Sequence, residues 1–125
     1  MELTLKDAYY FKHDSNARND PKIQALIEKY GVEGYGRFFI IIEMMRESSH
    51  YRLEDKPYVL RSIANQFKIN IEQTKVFLDD CVSEFSLLEF ESSYYFSRSF
   101  LERMNHLDDV RQKRQEAGRK RHQEN

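Results

Sequence analysis

The sequence predicts a mostly α fold, a winged helix-turn-helix with a β-hairpin wing and an added C-terminal helix, and three observations carry that expectation. Two helical stripes, over 60–67 and 71–85, are separated only by Lys68-Ile69-Asn70, the spacing of a helix-turn-helix. Two alternating, aromatic-rich runs then flank Ser92-Ser93, the pattern of a hairpin. The full order reads helix, helix, short strand, helix, helix, hairpin, helix, and the hairpin then occupies the place of the wing.

Asp20-Pro21 opens the first helix, an N-cap followed by proline at the first helical position. Ile23, Leu26, Ile27 and Tyr30 recur at helical spacing, and Gly31 supplies the stop. A second helix is expected from Val32 or Glu33, with Tyr35, Phe38, Phe39, Ile42 and Met45 as its stripe and Ile40, Ile41 and Met44 widening it. So broad an apolar surface marks the most buried helix. Gly34 and Gly36, each about 1 kcal/mol worse than alanine in a helix, are read as points of close backbone packing. Ser48-Ser49 ends this helix, and Tyr51-Arg52-Leu53 is read as a short strand.

Asp55 and Pro57 signal the third helix, whose narrow stripe is Leu60, Ile63, Ala64 and Phe67. Asn70 to Gln73 resembles a capping box for the fourth, which has the cleanest pattern in the chain, Ile71, Thr74, Phe77, Leu78, Cys81, Val82 and Phe85. The wing runs from Leu87 to Ser97. Ser99 and Glu102 form a second capping box, followed by the stripe Phe100, Leu101, Met104, Leu107 and Val110. After Val110 no apolar face remains, and the chain is expected to be a solvated helical extension or disordered. The expected division is a winged-helix domain over 1–105 and a basic extension or linker over 106–125.

The 125 residues suit one domain or one domain with a tail, at 33% charged, 40% hydrophobic and a mean hydropathy of -0.79. The net charge of -1 conceals a polarity. Residues 111–125 hold six basic residues (Arg111, Lys113, Arg114, Arg119, Lys120, Arg121) against two acidic ones, net +4, so the first 110 residues carry -5. The longest apolar run, Phe38 to Ile42, is far short of the roughly 20 residues that span a bilayer. With no secretory pattern and a single cysteine, the expected compartment is cytoplasmic, with neither disulfide framework nor membrane partner.

No catalytic constellation stands out, and an enzyme is not expected. His13, His50, His106 and His122 lie far apart, and glycines 31, 34 and 36 neither follow a strand nor precede a P-loop lysine. The cluster His13-Asp14 with Asn19-Asp20 either ligates a divalent cation or caps turns, and turn capping is the commoner use of such residues. Cys81 lies on an apolar face and reads as a small core residue. No metal or cofactor is expected.

Three surfaces compete for function. The exposed face of the fourth helix offers Glu72, Gln73, Lys75, Val76, Asp79, Asp80, Ser83 and Glu84, one positive charge against four negative. Phosphates would be repelled there, although Gln73 and Lys75 near its start could reach bases. The basic segment 111–122 attracts phosphates without regard to sequence, and four to six contacts would give a salt slope of roughly -4 to -5. Tyr9, Tyr10, Phe11, Tyr94 and Tyr95 lie outside the helical stripes and could pair two copies of the chain, making a homo-oligomer.

The run Tyr10-Phe11-Lys12-His13-Asp14-Ser15-Asn16-Ala17-Arg18-Asn19-Asp20-Pro21-Lys22-Ile23, continued by Leu26, Tyr30-Gly31-Val32-Glu33-Gly34-Tyr35-Gly36 and Glu43-Met44, resembles an N-terminal domain of phage and prophage proteins of Gram-positive bacteria. These are replisome-organiser-like proteins, whose architecture is similar to the N-terminal domain of DnaD-type primosome proteins. The resemblance spans about residues 5–105 and brings no catalytic residues. It implies a role in starting DNA replication through origin or single-strand DNA engagement, self-association and help in loading the replicative helicase. Two other readings stand beside it, a winged-helix transcription regulator that reads duplex DNA with Gln73, Lys75 and the wing, and a protein-interaction domain without DNA.

Overall fold

The structure, a computed structural model, describes residues 17–124, with side chains described as far as residue 119. Tyr9, Tyr10, Phe11, His13 and Asp14 lie outside the described residues, as do the side chains of Lys120, Arg121 and His122.

A 3-10 turn at Ala17–Asn19 leads into α1 (Pro21–Glu47), capped by the Asp20 carboxylate, which accepts from the Lys22 N–H at 2.8 Å. The helix breaks where the sequence predicts. Gly31 adopts φ 73° and ψ -169°, a conformation essentially confined to glycine, so α1 is two helical stretches joined at one residue. Gly34 is buried as expected, and a Cβ there would lie 2.5 Å from the Tyr30 Cβ. Gly36 corrects the expectation: it is exposed, with open space around it.

A second 3-10 turn (Ser49–Tyr51) follows the cap at Ser48, and the first strand is β1 (Leu53–Glu54). Tyr51 does not join that strand, because His50 and Tyr51 take φ of 59° and 57° to turn the chain out of α1. Next comes α2 (Pro57–Phe67), entered through Lys56 rather than capped by Asp55, whose carboxylate is engaged elsewhere. Lys68 in the left-handed region closes α2 and begins the three-residue turn to α3 (Ile71–Ser83). The Asn70–Gln73 capping box forms in full, with Gln73 N–H to Asn70 at 2.7 Å and Asn70 N–H to the Gln73 side chain at 3.3 Å.

Ser86, at φ 52°, reverses the chain after α3, and the Leu87 and Leu88 amides close on the Cys81 carbonyl at 2.8 and 3.1 Å. The wing strands are therefore shorter than the sequence pattern, β2 (Glu89–Glu91) and β3 (Tyr94–Phe96). Ser92 and Ser93 both have positive φ, the geometry of a two-residue hairpin turn whose twist matches the strands. The sheet is antiparallel in the order β1-β3-β2, with Leu53, Tyr95 and Phe90 in one row and Glu54, Tyr94 and Glu91 in the next.

Helix α4 (Arg98–Glu124) begins one residue before Ser99, so Ser99 lies in its first turn and is not its cap. The helix continues unbroken through the basic segment. The described residues divide into two compact units, one ending at Arg98 and the second beginning at Ser99.

In the first unit the helices α1, α2 and α3 enclose an apolar centre around Phe77, which is fully buried. Tyr30 and Phe67 meet its ring edge-on at 5.0 and 5.6 Å, and the Arg37 guanidinium lies 5.8 Å from its centroid. Leu60, Ile63, Ala64 and Phe67 of α2 are buried, as are Thr74, Leu78, Cys81 and Phe85 around α3. The whole is mostly helical with a small three-stranded sheet, as a winged-helix arrangement requires.

Candidate nucleic-acid interface

Helix α3 stands in the recognition position, and its outward charges are engaged within the protein. The Lys75 ammonium donates to Asp55 at 3.0 Å and to the Tyr95 hydroxyl, and it lies 3.6 Å from Asp79. The Tyr95 hydroxyl in turn donates to Asp79 at 3.0 Å. Burial alone would lower the Lys75 pKa, but the bonds to Tyr95 and Asp55 outweigh it and raise it overall. Burial, with the bond to Asp79, pushes the Tyr95 phenol up to about 12. This network joins β1's end, α3 and β3, and the ring of Phe90 lies 5.5 Å from the same ammonium.

At the other end of α3, Lys29 from α1 lies 2.7 Å from Glu84 and 3.1 Å from Asp80, and Tyr30 donates its hydroxyl to Asp80. The bonds to Glu84 and Asp80 raise the Lys29 pKa, while burial pushes the Tyr30 phenol up to about 12. Of the four carboxylates that make α3 look repellent in sequence, Asp79, Asp80 and Glu84 are thus matched with cations, and Glu72, near the helix start, is in none of the ion pairs among the described residues. Gln73, expected to reach a base, uses its side-chain oxygen in the capping box. On the wing, Arg98 grips Glu89 through two bonds of 2.6 and 3.0 Å, which lowers the Glu89 pKa.

The basic segment is helical. Arg111 pairs with Asp108 at 2.7 Å and Lys113 with Asp109 at 3.2 Å, both local pairs along α4. Arg111, Lys113, Arg114 and Arg119 lie on different sides of the helix rather than on one face. Tyr95, expected to pair copies of the chain, is 1% exposed and belongs to the core. Tyr94 is half-buried, with the Arg52 guanidinium stacked 3.8 Å from its ring centroid. Cys81 is fully buried, and burial pushes its thiol up to about 12, the state of an inert core residue. Among the described residues no helix is long and apolar enough to cross a membrane, and no group of three or more His, Cys, Asp or Glu could hold a metal ion.

The family described as Lin1244/Lin1753-like, N-terminal, matches residues 10–101. The chain belongs to this family. The match covers the helix-turn-helix, the wing and the first residues of α4, and the basic residues from Arg111 to Arg121 lie outside it. No curated protein and no solved structure matches the chain. The Lin1244/Lin1753-like domain is therefore the winged-helix part, including the ion-pair networks that tie α3 to β1, β3 and α1. Sequence reasoning missed those networks because Lys29 and Glu84 are 55 residues apart, and Asp55 and Lys75 are 20 apart. No local pattern marks such pairs.

Proposed function

We propose that this domain is a non-enzymatic module of a phage-type protein that initiates DNA replication. In this reading the winged-helix body takes protein partners, a second copy and the replicative helicase or its loader among them, and the basic segment 111–121 holds DNA without sequence choice. The observation that carries it is the engagement of α3: its lysine and three of its carboxylates are already bound within the protein, and its Gln73 serves as a cap. A helix so tied offers little to base edges, whereas Arg119 is exposed in a segment without competing apolar packing. The resemblance to replisome-organiser-like phage proteins supplies the replication context. Self-association in this reading draws on Tyr94 rather than the buried Tyr95.

The test is fluorescence anisotropy of the full chain with duplex DNA across two salt concentrations. Changing Arg114, Arg119, Lys120 and Arg121 to Gln is expected to flatten the slope of log K against log salt by about 3 to 4, the amount for four phosphate contacts. Unchanged affinity and slope would sink the tail reading. Loss of sequence preference on Gln73→Ala would replace it with the transcription regulator.

A further inference from the structure

Among the described residues, α2 is the helix without a carboxylate. Its inward stripe is buried, and its outward stripe is Tyr58, Arg61, Ser62, Asn65 and Gln66, continued by Lys68 at the helix end, all exposed. These positions follow the spacing of three and four residues that places side chains on one helical face. Tyr58 is 65% exposed, the most exposed aromatic of the described core-forming helices. None of the ion pairs among the described residues includes Arg61 or Lys68. The neighbouring helix differs in kind, since Lys75 on α3 is shared between two carboxylates and a phenol.

We infer that the outward face of α2 is a binding surface for single-stranded nucleic acid. Two cations with no carboxylate between them complement a polyanion, and the nearest exposed carboxylate along the chain is Glu72, beyond the turn on α3. The ring of Tyr58 gives a base a stacking platform, and the amides of Asn65 and Gln66 and the hydroxyl of Ser62 donate and accept hydrogen bonds to whichever base or phosphate lies above them. Lys68 lies seven positions after Arg61, about 10 Å along the helix axis, which is the length of about three stacked nucleotides. Single strands are favoured over duplex because stacking on a phenol needs a base face that a duplex keeps covered. An acidic protein surface would pair with the cations as well, and in that case oligothymidine would stay unbound in the titration below. This surface lies inside the family domain and does not depend on the basic segment of α4.

The experiment uses the full chain and fluorescein-labelled oligothymidine, with a duplex of equal length as control, each titrated at two salt concentrations. Tyr58→Ala is expected to weaken oligothymidine binding by about 5- to 150-fold with no change in salt slope, and Tyr58→Phe to restore it. Arg61→Gln with Lys68→Gln is expected to weaken binding and to reduce the slope by about 1.4, the amount for two single-strand contacts. All three side chains are exposed, so melting temperatures should match the parent and serve as the check on folding. If both α2 variants bind oligothymidine as the parent does, the inference is overturned. If they do so while the quadruple Gln variant of α4 loses binding, the tail reading stands alone. If the α2 variants lose binding and the α4 variant keeps it, the single-strand surface stands and the tail reading falls.

Discussion

Helix α3 and the last half of α4 are both strongly charged helices, yet their charges have opposite standing. On α3 most partners come from far along the chain, Lys29 from α1, Asp55 from the end of β1 and Tyr95 from β3, beside the one local pair of Lys75 with Asp79. On α4 the described pairs are local, Asp108 with Arg111 and Asp109 with Lys113. Beneath α3 lie Phe77, Leu78 and Cys81, all fully buried, whereas after Val110 the segment of α4 has no large apolar side chain. Long-range pairing built over a packed face fixes a charge within the fold. Local pairing on an exposed helix is weak and leaves charges that salt or a polyanion can claim. A formal count along a helix therefore says little about what the helix can bind.

The sharpest way to break this comparison is to remove the packing under α3. Phe77→Ala deletes a ring that touches Tyr30 and Phe67 and is expected to cost about 3 to 5 kcal/mol. Arg114→Ala or Arg119→Ala on α4 should stay within about 0.5 kcal/mol, as surface substitutions do. Urea unfolding of the three variants reads the contrast directly, and equal losses would dissolve the distinction between the helices.

Next in size is Gly31. Lys29 and Tyr30 reach α3 from the residues just before the break, so the φ of 73° aims them. Gly31→Ala must strain that conformation or straighten α1, at about 1 to 3 kcal/mol. A loss smaller than 0.5 kcal/mol in the same unfolding assay would mean that the break is not what positions the Lys29 pair.

The break itself was legible, because an Asp-Pro start and a glycine stop are local chemistry, and so were the capping box and the inward stripes of α2 and α3. The wing was legible as alternation, but its ends were not. Leu87 and Leu88 have the right residue types for a strand, yet their amides serve the Cys81 carbonyl at the end of α3. Tyr95 shows the limit for the candidate site. As one of two adjacent tyrosines on a short strand it looked available to a second copy, whereas register pairs it with Leu53 and Phe90 and turns its hydroxyl toward Lys75. Composition named the charged helices correctly, and only tertiary placement separated the held charges from the available ones.

Alkaline titration probes the held set. Burial pushes Tyr30, Tyr95 and Cys81 up to about 12, above ordinary values of 10, 10 and 9. Each group keeps its proton more tightly in the folded chain than in the unfolded one. Its stabilising contribution is thus complete below pH 9 to 10 and is lost as pH rises toward 12. The melting temperature is expected to be level between pH 7 and 9 and to fall between pH 10 and 12, with Tyr95→Phe losing part of that fall. A melting temperature that is the same at pH 8.5 and 11.5 would show that these groups ionise alike in both states.

The smallest expected effect lies on α4, at the pair of Asp109 and Lys113. The acid precedes the base by four residues on an exposed helix, an arrangement worth about 0.3 to 0.5 kcal/mol to helix stability at low salt and less as salt screens it. Asp109→Asn removes that support and also removes a negative charge beside a cation. The two consequences oppose each other in a binding assay. Helicity by circular dichroism should fall slightly at low salt and match the parent at 1 M, while duplex affinity should rise and the salt slope steepen by up to about 1, because Lys113 can then engage a phosphate. On α3 the equivalent change, Asp79→Asn, should release nothing, since Lys75 keeps Asp55 at 3.0 Å and the Tyr95 hydroxyl. If Asp79→Asn raises affinity as much as Asp109→Asn does, the charges of α3 are as available as those of α4, and long-range pairing has not removed that helix from nucleic-acid contact.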